Sequence, residues 1–362
     1  MAGNTSLGAA RAAKNDEFYT QWNDIENEMQ AYLEYGPDVF RDKTILLPCD
    51  DPDWSNFTKY FAERFEQLGL KKLISTSYAA DGGNGKVFVL EGENVPQWGY
   101  LAGDGDFRSE EVTALRDEAD MVITNPPFSL FRELMAWLAE GGVEFSAIGS
   151  MNAITYKEIF PLIKENEMWL GASRMGAKYF ALPSNAPVKA NQHEENGVRF
   201  QKFGNIAWFT NIEHGLRHEP LPLMTMDDNL LYGSKRVRET AYVKYDNYDA
   251  IEVPFTSGIP SDYEGVMGVP ISFLGKYNPE QFEILGSRRW GKSQELLDVY
   301  TGDVVPPEND KKTLINGKET YDRIFIRHRN PERKEPQLLS RSRSGQSSLR
   351  CKHGFSHVEV RG

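Results

Sequence analysis

The sequence predicts an α/β protein: an open, mostly parallel sheet of about seven strands ending in an antiparallel hairpin, with a smaller loop-rich region behind it. Short apolar runs alternate with amphipathic stretches up to Ile212, as strands and covering helices do. Past Ile212 the texture changes, and turn-rich runs such as YDNYDA, TSGIPSDYEG and KYNPEQ replace the long periodic segments. At 362 residues and 40% hydrophobic, the chain can bury one large core or two modest ones.

In chain order, the strands are expected at 44–48 (TILLP), 72–76 (KLIST), 99–102, 121–124 (MVIT), 145–149 (FSAIG), 178–182 and 206–212. Between them, residues 56–68 and 130–140 carry apolar side chains at helical spacing, and Ser55 and Ser129 stand where N-caps belong. Each parallel step then needs a right-handed crossover. The polar stretch NQHEENG suits a solvent loop between the last two strands. The division expected is a larger domain over 1–214, a smaller loop-rich region over 215–330 and a tail over 331–362. That tail is rich in Ser, Arg and Lys and has little to bury, so disorder is expected of it.

Composition excludes several classes. Cys49 and Cys351 are the only cysteines, and neither belongs to a C-x-x-C pair, which rules out a disulfide scaffold and a cysteine-rich zinc site. The six histidines are scattered along the chain and no metal is expected. No apolar run approaches the ~20 residues of a membrane span and no secretory signal opens the chain, so a soluble, cytoplasmic protein is expected. A net charge of -12 argues on its own against a polyanionic partner, but 13 Lys and Arg stand against 5 Asp and Glu from Lys311 onward. Any contact with nucleic acid must therefore use local basic patches.

The sharpest local signal is Asn125-Pro126-Pro127-Phe128, between the strand MVIT and the amphipathic run SLFRELMAWLAE. Open α/β sheets place ligands at the carboxyl ends of their strands. Two prolines fix φ and hold the preceding carbonyl rigid. The Asn125 side-chain oxygen and the Pro126 carbonyl can accept both hydrogens of an aromatic amine, while Phe128 stacks on the ring. Drawing both hydrogens aside turns the nitrogen lone pair toward an electrophilic methyl group. By itself the tetrapeptide reads equally well as a turn with Phe128 in the core; the strand before it and the helix after it favour the chemical reading.

The tetrapeptide resembles the catalytic signature of S-adenosylmethionine-dependent amino-methyltransferases. Residues 16–21 (DEFYTQ) are similar to the segment that in DNA adenine methyltransferases closes over the methionine end of the cofactor, which puts Phe18, Tyr19 and Thr20 at that site. Gly105-Asp106-Phe107 is similar to the segment whose acidic side chain accepts from the cofactor's adenine amine while the aromatic flanks the ring. Trp208 and Phe209, in IAWFTN, fall where a late strand supplies an aromatic wall for the target base; taken singly, Phe18 and Tyr19 also read as the start of an amphipathic helix, Asp106 as a turn residue, and Trp208 and Phe209 as core aromatics. Read together, DEFYTQ, DIENE, CDDP, SNFTKYFA, LGLKKLI, GDGDF, TNPPFSLFRE, ITYKEIFPLIKEN, WLG, KYDNYDAI and GVMGVPISFLGKYNPEQFEI resemble the EcoRI-type adenine-specific DNA methyltransferase family, from about Asn15 to about Arg329.

That resemblance implies a Rossmann-like methyltransferase fold, S-adenosyl-L-methionine as cofactor, double-stranded DNA as substrate, and an adenine flipped out of the stack so that its N6 can be reached. The usual glycine-rich loop after the first strand is absent; Pro48-Cys49-Asp50-Asp51-Pro52 stands there instead. Asp50 or Asp51 can accept from the methionine ammonium, or can serve the start of the next helix. DDPDWSNF fails as a calcium loop because Asn56 occupies its glycine position, and DGGNGKV lacks the spacing and hydroxyl of a phosphate loop. The clusters Lys235, Arg236 and Arg238, then Arg288, Arg289 and Lys292, then Lys311 and Lys312, are candidates for phosphate or base contact, or are simply solvated. The competing functions are a methyltransferase acting on RNA or protein glutamine, and a catalytically silent DNA-binding module. The likeness outside the tetrapeptide speaks against the first, and the intact Asn125 against the second.

Overall fold

The computed structural model describes residues 20–92, 94–173, 176–182, 192–291, 293–302 and 313–332. Phe18, Tyr19, Lys292, Lys311, Lys312 and nearly all of the expected tail lie outside them.

The chain opens on α1 (Trp22–Tyr35), which buries Ile25, Met29 and Tyr32 along one face. Then come β1 (Thr44–Leu47), α2 (Asn56–Glu63), α3 (Phe65–Leu68), β2 (Lys72–Thr76), β3 (Lys86–Glu91) and β4 (Gln97–Tyr100). The expected helix over 56–68 is thus two pieces broken at Arg64; it starts at the expected cap, where the Ser55 hydroxyl accepts from the Phe57 amide at 3.0 Å. Next are α4 (Glu110–Glu118), β5 (Met121–Thr124), α5 (Phe131–Gly141) and β6 (Glu144–Ser150). Ser129 does not cap α5. The Leu130 amide bonds the Pro127 carbonyl at 2.9 Å, so the chain leaves the prolines already wound into a 3₁₀ turn that runs into the helix.

The first sheet is completed by α6 (Phe160–Lys164), β7 (Trp169–Leu170), β8 (Gly176–Ala181), β9 (Gln192–Glu195) and the long β10 (Val198–Thr210). The stretch expected as a loop is mostly β9, turned into β10 by Asn196 and Gly197 at positive φ, the geometry Asn-Gly favours in a tight hairpin. The strand order is β4-β3-β2-β1-β5-β6-β10-β7, with β8 and β9 also on β10. Strands β2, β1, β5 and β6 are parallel, whereas β3, β4 and β10 join antiparallel. The mixed α/β architecture with a parallel centre is as expected, but ten strands take part where seven are predicted. The difference comes from two segments: GKVFVLEG forms β3 in a hairpin with β4 at one edge, and β10 is long enough to carry three partners at the other.

Beyond Thr210 follow α7 (Met226–Tyr232), α8 (Lys235–Thr240), β11 (Ala250–Glu252), β12 (Val266–Val269), β13 (Phe282–Ser287), α9 (Gln294–Asp298), the small hairpin β14 (Leu314–Ile315) and β15 (Lys318–Glu319), and β16 (Ile324–His328). A second sheet runs β11-β12-β16-β13. One apolar cluster unites Leu46, Val122 and Phe131 of the first sheet and its helix with Val253, Met267, Phe282 and Ile326 of the second, and Phe160 meets Trp290 edge-on at 5.9 Å. The opposite face of the first sheet is sealed by α1 and α2 over Ile45, Leu47 and Ile123. No described helix is long and apolar enough to cross a membrane.

Candidate active site

In the parallel centre, β2 lies on one side of β1 and β5 on the other, so the chain reverses direction across the sheet at the β1/β5 pair. Loops leaving the carboxyl ends of two such strands diverge and open a crevice. Pro48 to Asp51 follow β1 and Asn125 to Phe128 follow β5, so the crevice is lined by the segments the sequence singles out.

Asp50 lies at the root of this crevice and is 5% exposed. Its carboxylate accepts from the Ser55 hydroxyl at 2.8 Å, from the Thr124 hydroxyl at 2.8 Å and from the Asn125 amide. Burial raises its carboxyl to about 6, with those three donors pulling the other way. Asp51 stands further out, bonded to the Lys86 ammonium at 3.0 Å; Lys86 also reaches Asp53 at 2.6 Å.

Asp106 follows Gly105, whose φ of +82° and contact with the Ser77 carbonyl leave no space for a side chain. Its carboxylate accepts from the Arg108 amide at 2.9 Å and from the Arg108 guanidinium at 2.9 and 2.6 Å. Burial pushes this carboxyl up, but the Arg108 bonds and charge outweigh burial and hold it below the ordinary carboxylate range. The charges of Asp106 and Arg108 reach Cys49, and that of Glu133, in the first turn of α5, reaches Arg108. The β1 loop, the GDF segment and the start of α5 therefore lie close to one another.

Asn125 and Phe128 are half-buried and Pro126 is buried. The Phe128 ring stands edge-on to Phe180 at 6.4 Å and to Phe203 at 6.0 Å, and those two meet at 5.5 Å. These aromatics from β8 and β10 escape the sequence reading. The local signal was weak, since Phe200 and Phe203 in RFQKF are three apart and so lie on opposite faces of the strand; it is the β8–β10 register that sets Phe203 beside Phe180.

Several expected site residues are placed elsewhere. Trp208 and Phe209 are wholly buried: Trp208 meets Phe57 at 5.8 Å on one face of the sheet, and Phe209 meets Phe131 at 4.9 Å on the other. Consecutive side chains on a strand point to opposite faces, and in the sheet interior helices cover both, so neither can wall a base. Phe107 is likewise core, packed on Trp137 at 5.5 Å rather than lining the crevice. Arg288 is buried and therefore no phosphate contact, while the exposed Arg289 is paired with Asp322 at 2.7 Å. Thr20 is buried and fixed through its carbonyl, which accepts from the Asn56 amide group at 2.7 Å. Lys235, Arg236 and Arg238 are exposed together on α8, next to the exposed Leu231 and Tyr232.

A parallel-centred sheet with Asn-Pro-Pro-Phe at the carboxyl end of its switch strand is the arrangement that the resemblance to amino-methyltransferases leads one to expect. The chain belongs to the family described as adenine-specific methyltransferase EcoRI, which it matches over residues 6–329. It is similar to the Type II methyltransferase M.EcoRI of Escherichia coli, with 42% identity over 350 residues covering 91% of this chain and 98% of the relative. It is also similar to the Type II methyltransferase M.MpnI of Mycoplasma pneumoniae, with 36% identity over 325 residues, 88% of this chain and 97% of the relative. A third relative, the Type II methyltransferase M.MgeORF184P of Mycoplasma genitalium, is 36% identical over 323 residues, with the same coverage on both sides. No solved structure matches. The chain is accordingly a DNA methyltransferase specific for adenine.

Proposed function

We propose that the crevice binds S-adenosylmethionine and that the chain transfers its methyl group to N6 of an adenine flipped out of duplex DNA. The observation that carries this reading is the position of Asn125-Pro126-Pro127-Phe128, half-buried at the carboxyl end of β5 and tied through the Asn125 amide to the β1 loop. The donor chemistry fits the cofactor. A carboxylate offers about four acceptor positions, and Arg108 takes three of those on Asp106, which leaves one for an adenine amine. Asp51, half-buried and held by Lys86, supplies negative charge for a methionine ammonium. When bound, the cofactor supplies an electrophilic methyl group on a sulfonium.

The chain's own part is positioning and electrostatics. The Asn125 side-chain oxygen and the Pro126 carbonyl accept the two amine hydrogens of the target, Phe128 stacks on its ring, and Phe180 and Phe203 back Phe128 from behind. Lys235, Arg236 and Arg238, exposed on α8 in the 215–330 recognition region, meet the phosphate backbone. Transfer of radiolabel from S-adenosylmethionine to unmethylated plasmid, followed by nucleoside analysis, is expected to give N6-methyl-2′-deoxyadenosine. Asn125→Ala is expected to lower turnover by about 10² to 10³ with folding intact; near-normal turnover in that variant refutes the role given to Asn125.

A further inference from the structure

We infer that Asp50 is a positioning residue for methyl transfer: it holds Asn125 by its backbone amide, and it does not contact the cofactor. The inference rests on the catalytic reading of Asn125. The Asp50 carboxylate accepts from the Ser55 hydroxyl at Oδ1, from the Thr124 hydroxyl at Oδ2 and from the Asn125 amide, and at 5% exposure it presents almost no surface to a ligand, unlike the Asp106 side chain at 26%. Its own backbone is pinned as well. The Asp50 amide donates to the Thr76 carbonyl at 3.1 Å, and the Asp50 carbonyl accepts from the Ser75 hydroxyl at 2.6 Å. The Thr76 hydroxyl bonds the Pro48 carbonyl at 3.2 Å, and Ser75 is bonded in turn to Thr58 of α2 at 2.7 Å. One side chain thus fastens the carboxyl ends of β1 and β5, beside β2 and the start of α2. Asp51 differs: its carboxylate lies further out and is paired with Lys86.

Energetics argue the same way. A buried carboxylate held only by neutral donors is costly, and burial does raise this one to about 6. An amide of the same shape would avoid that cost but offers one acceptor oxygen where the carboxylate offers two, so the charge contributes through what it fixes, namely the two residues that lead into Pro126. Ionised acceptors make shorter and stiffer bonds than neutral ones, and methyl transfer is sensitive to displacements of the amine acceptors by fractions of an ångström.

The test uses the full chain carrying Asp50→Asn, Thr124→Val or Thr124→Ser, measured for thermal stability, for S-adenosylhomocysteine affinity by calorimetry and for steady-state methylation of an unmethylated duplex. Asp50→Asn is expected to keep or raise Tm, to leave the S-adenosylhomocysteine Kd within about twofold, and to lower kcat by roughly 10- to 100-fold. Thr124→Val should lower kcat in the same sense, and Thr124→Ser should restore it. A tenfold or larger rise in Kd for Asp50→Asn puts Asp50 on the cofactor and overturns the inference, as does full kcat in both Asp50→Asn and Thr124→Val. Should Asp50→Asn fail to fold, the Thr124 pair decides alone. An inactive Asn125→Ala beside fully active Asp50→Asn and Thr124→Val rejects this inference only, whereas an active Asn125→Ala rejects the catalytic reading beneath it.

Discussion

Asp106→Ala isolates the cofactor contact with little disturbance to the fold. The carboxylate takes three hydrogen bonds, all from Arg108, and the Arg108 side chain is 47% exposed. When the carboxylate goes, solvent rehydrates the guanidinium, so the pair itself accounts for less than about 1 kcal/mol of stability. The bond proposed to the adenine amine is charge-assisted and worth roughly 1.5 to 3 kcal/mol, which corresponds to a rise in Kd of about 10- to 100-fold. The backbone survives the change because Gly105, not Asp106, carries the unusual conformation. Calorimetric titration with S-adenosylhomocysteine reads the Kd, and a melting curve on the same sample reads the stability. Duplex affinity is expected to stay unchanged. A Kd equal to that of the unaltered chain refutes the reasoning and leaves Asp106 as a turn residue whose function is to hold Arg108. Because Asp106 is held below the ordinary carboxylate range, its part in cofactor affinity should stay flat across neutral and mildly acidic pH.

Phe128→Ala is expected to weaken binding of the flipped base by roughly 1 to 3 kcal/mol, seen as reduced 2-aminopurine fluorescence change at the target position, whereas Phe128→Tyr retains it; loss of folding in Phe128→Ala would show that its packing on Phe180 and Phe203 is its main contribution. Asp50 makes stability depend on pH. Its carboxyl is raised from 3.8 to about 6 in the fold, so the stability its protonation contributes is fully present below 3.8 and is lost as pH rises through about 6, on the order of 3 kcal/mol in all. Asp50→Asn should remove that component from the difference between denaturation curves at pH 5 and pH 7.5. An identical pH dependence in both proteins would show that Asp50 is not the group responsible.

Much of the fold could be read along the chain, because the parallel centre buries both faces of its strands and so writes them as continuous apolar runs. MVIT and KLIST form strands with the bounds expected, and Ser55 caps α2 as its position suggests. The place of Asn125-Pro126-Pro127-Phe128 between a strand and a helix was equally legible, since a rigid Pro-Pro turn is a local property of the chain. Helices α1 and α4 escaped because their polar faces dilute the apolar period, whereas β3 is written as the plain apolar run VFVL and was passed over.

What the sequence alone determined is the chemistry available: the Asn-Pro-Pro-Phe segment, the acidic loop after β1, and the family to which the whole pattern belongs. The tertiary structure decided which of these residues face the crevice. Trp208, Phe209 and Phe107 look like site aromatics in a linear reading, yet they lie in the core, while Phe180 and Phe203 reach Phe128 through strand pairing. It also separated Asp50 from Asp51, adjacent in sequence, into a buried tie between strands and an outer carboxylate countered by Lys86. The physical reason is that burial and hydrogen-bond partners come from residues distant in the chain, brought together by sheet register and helix packing, and no local pattern encodes them.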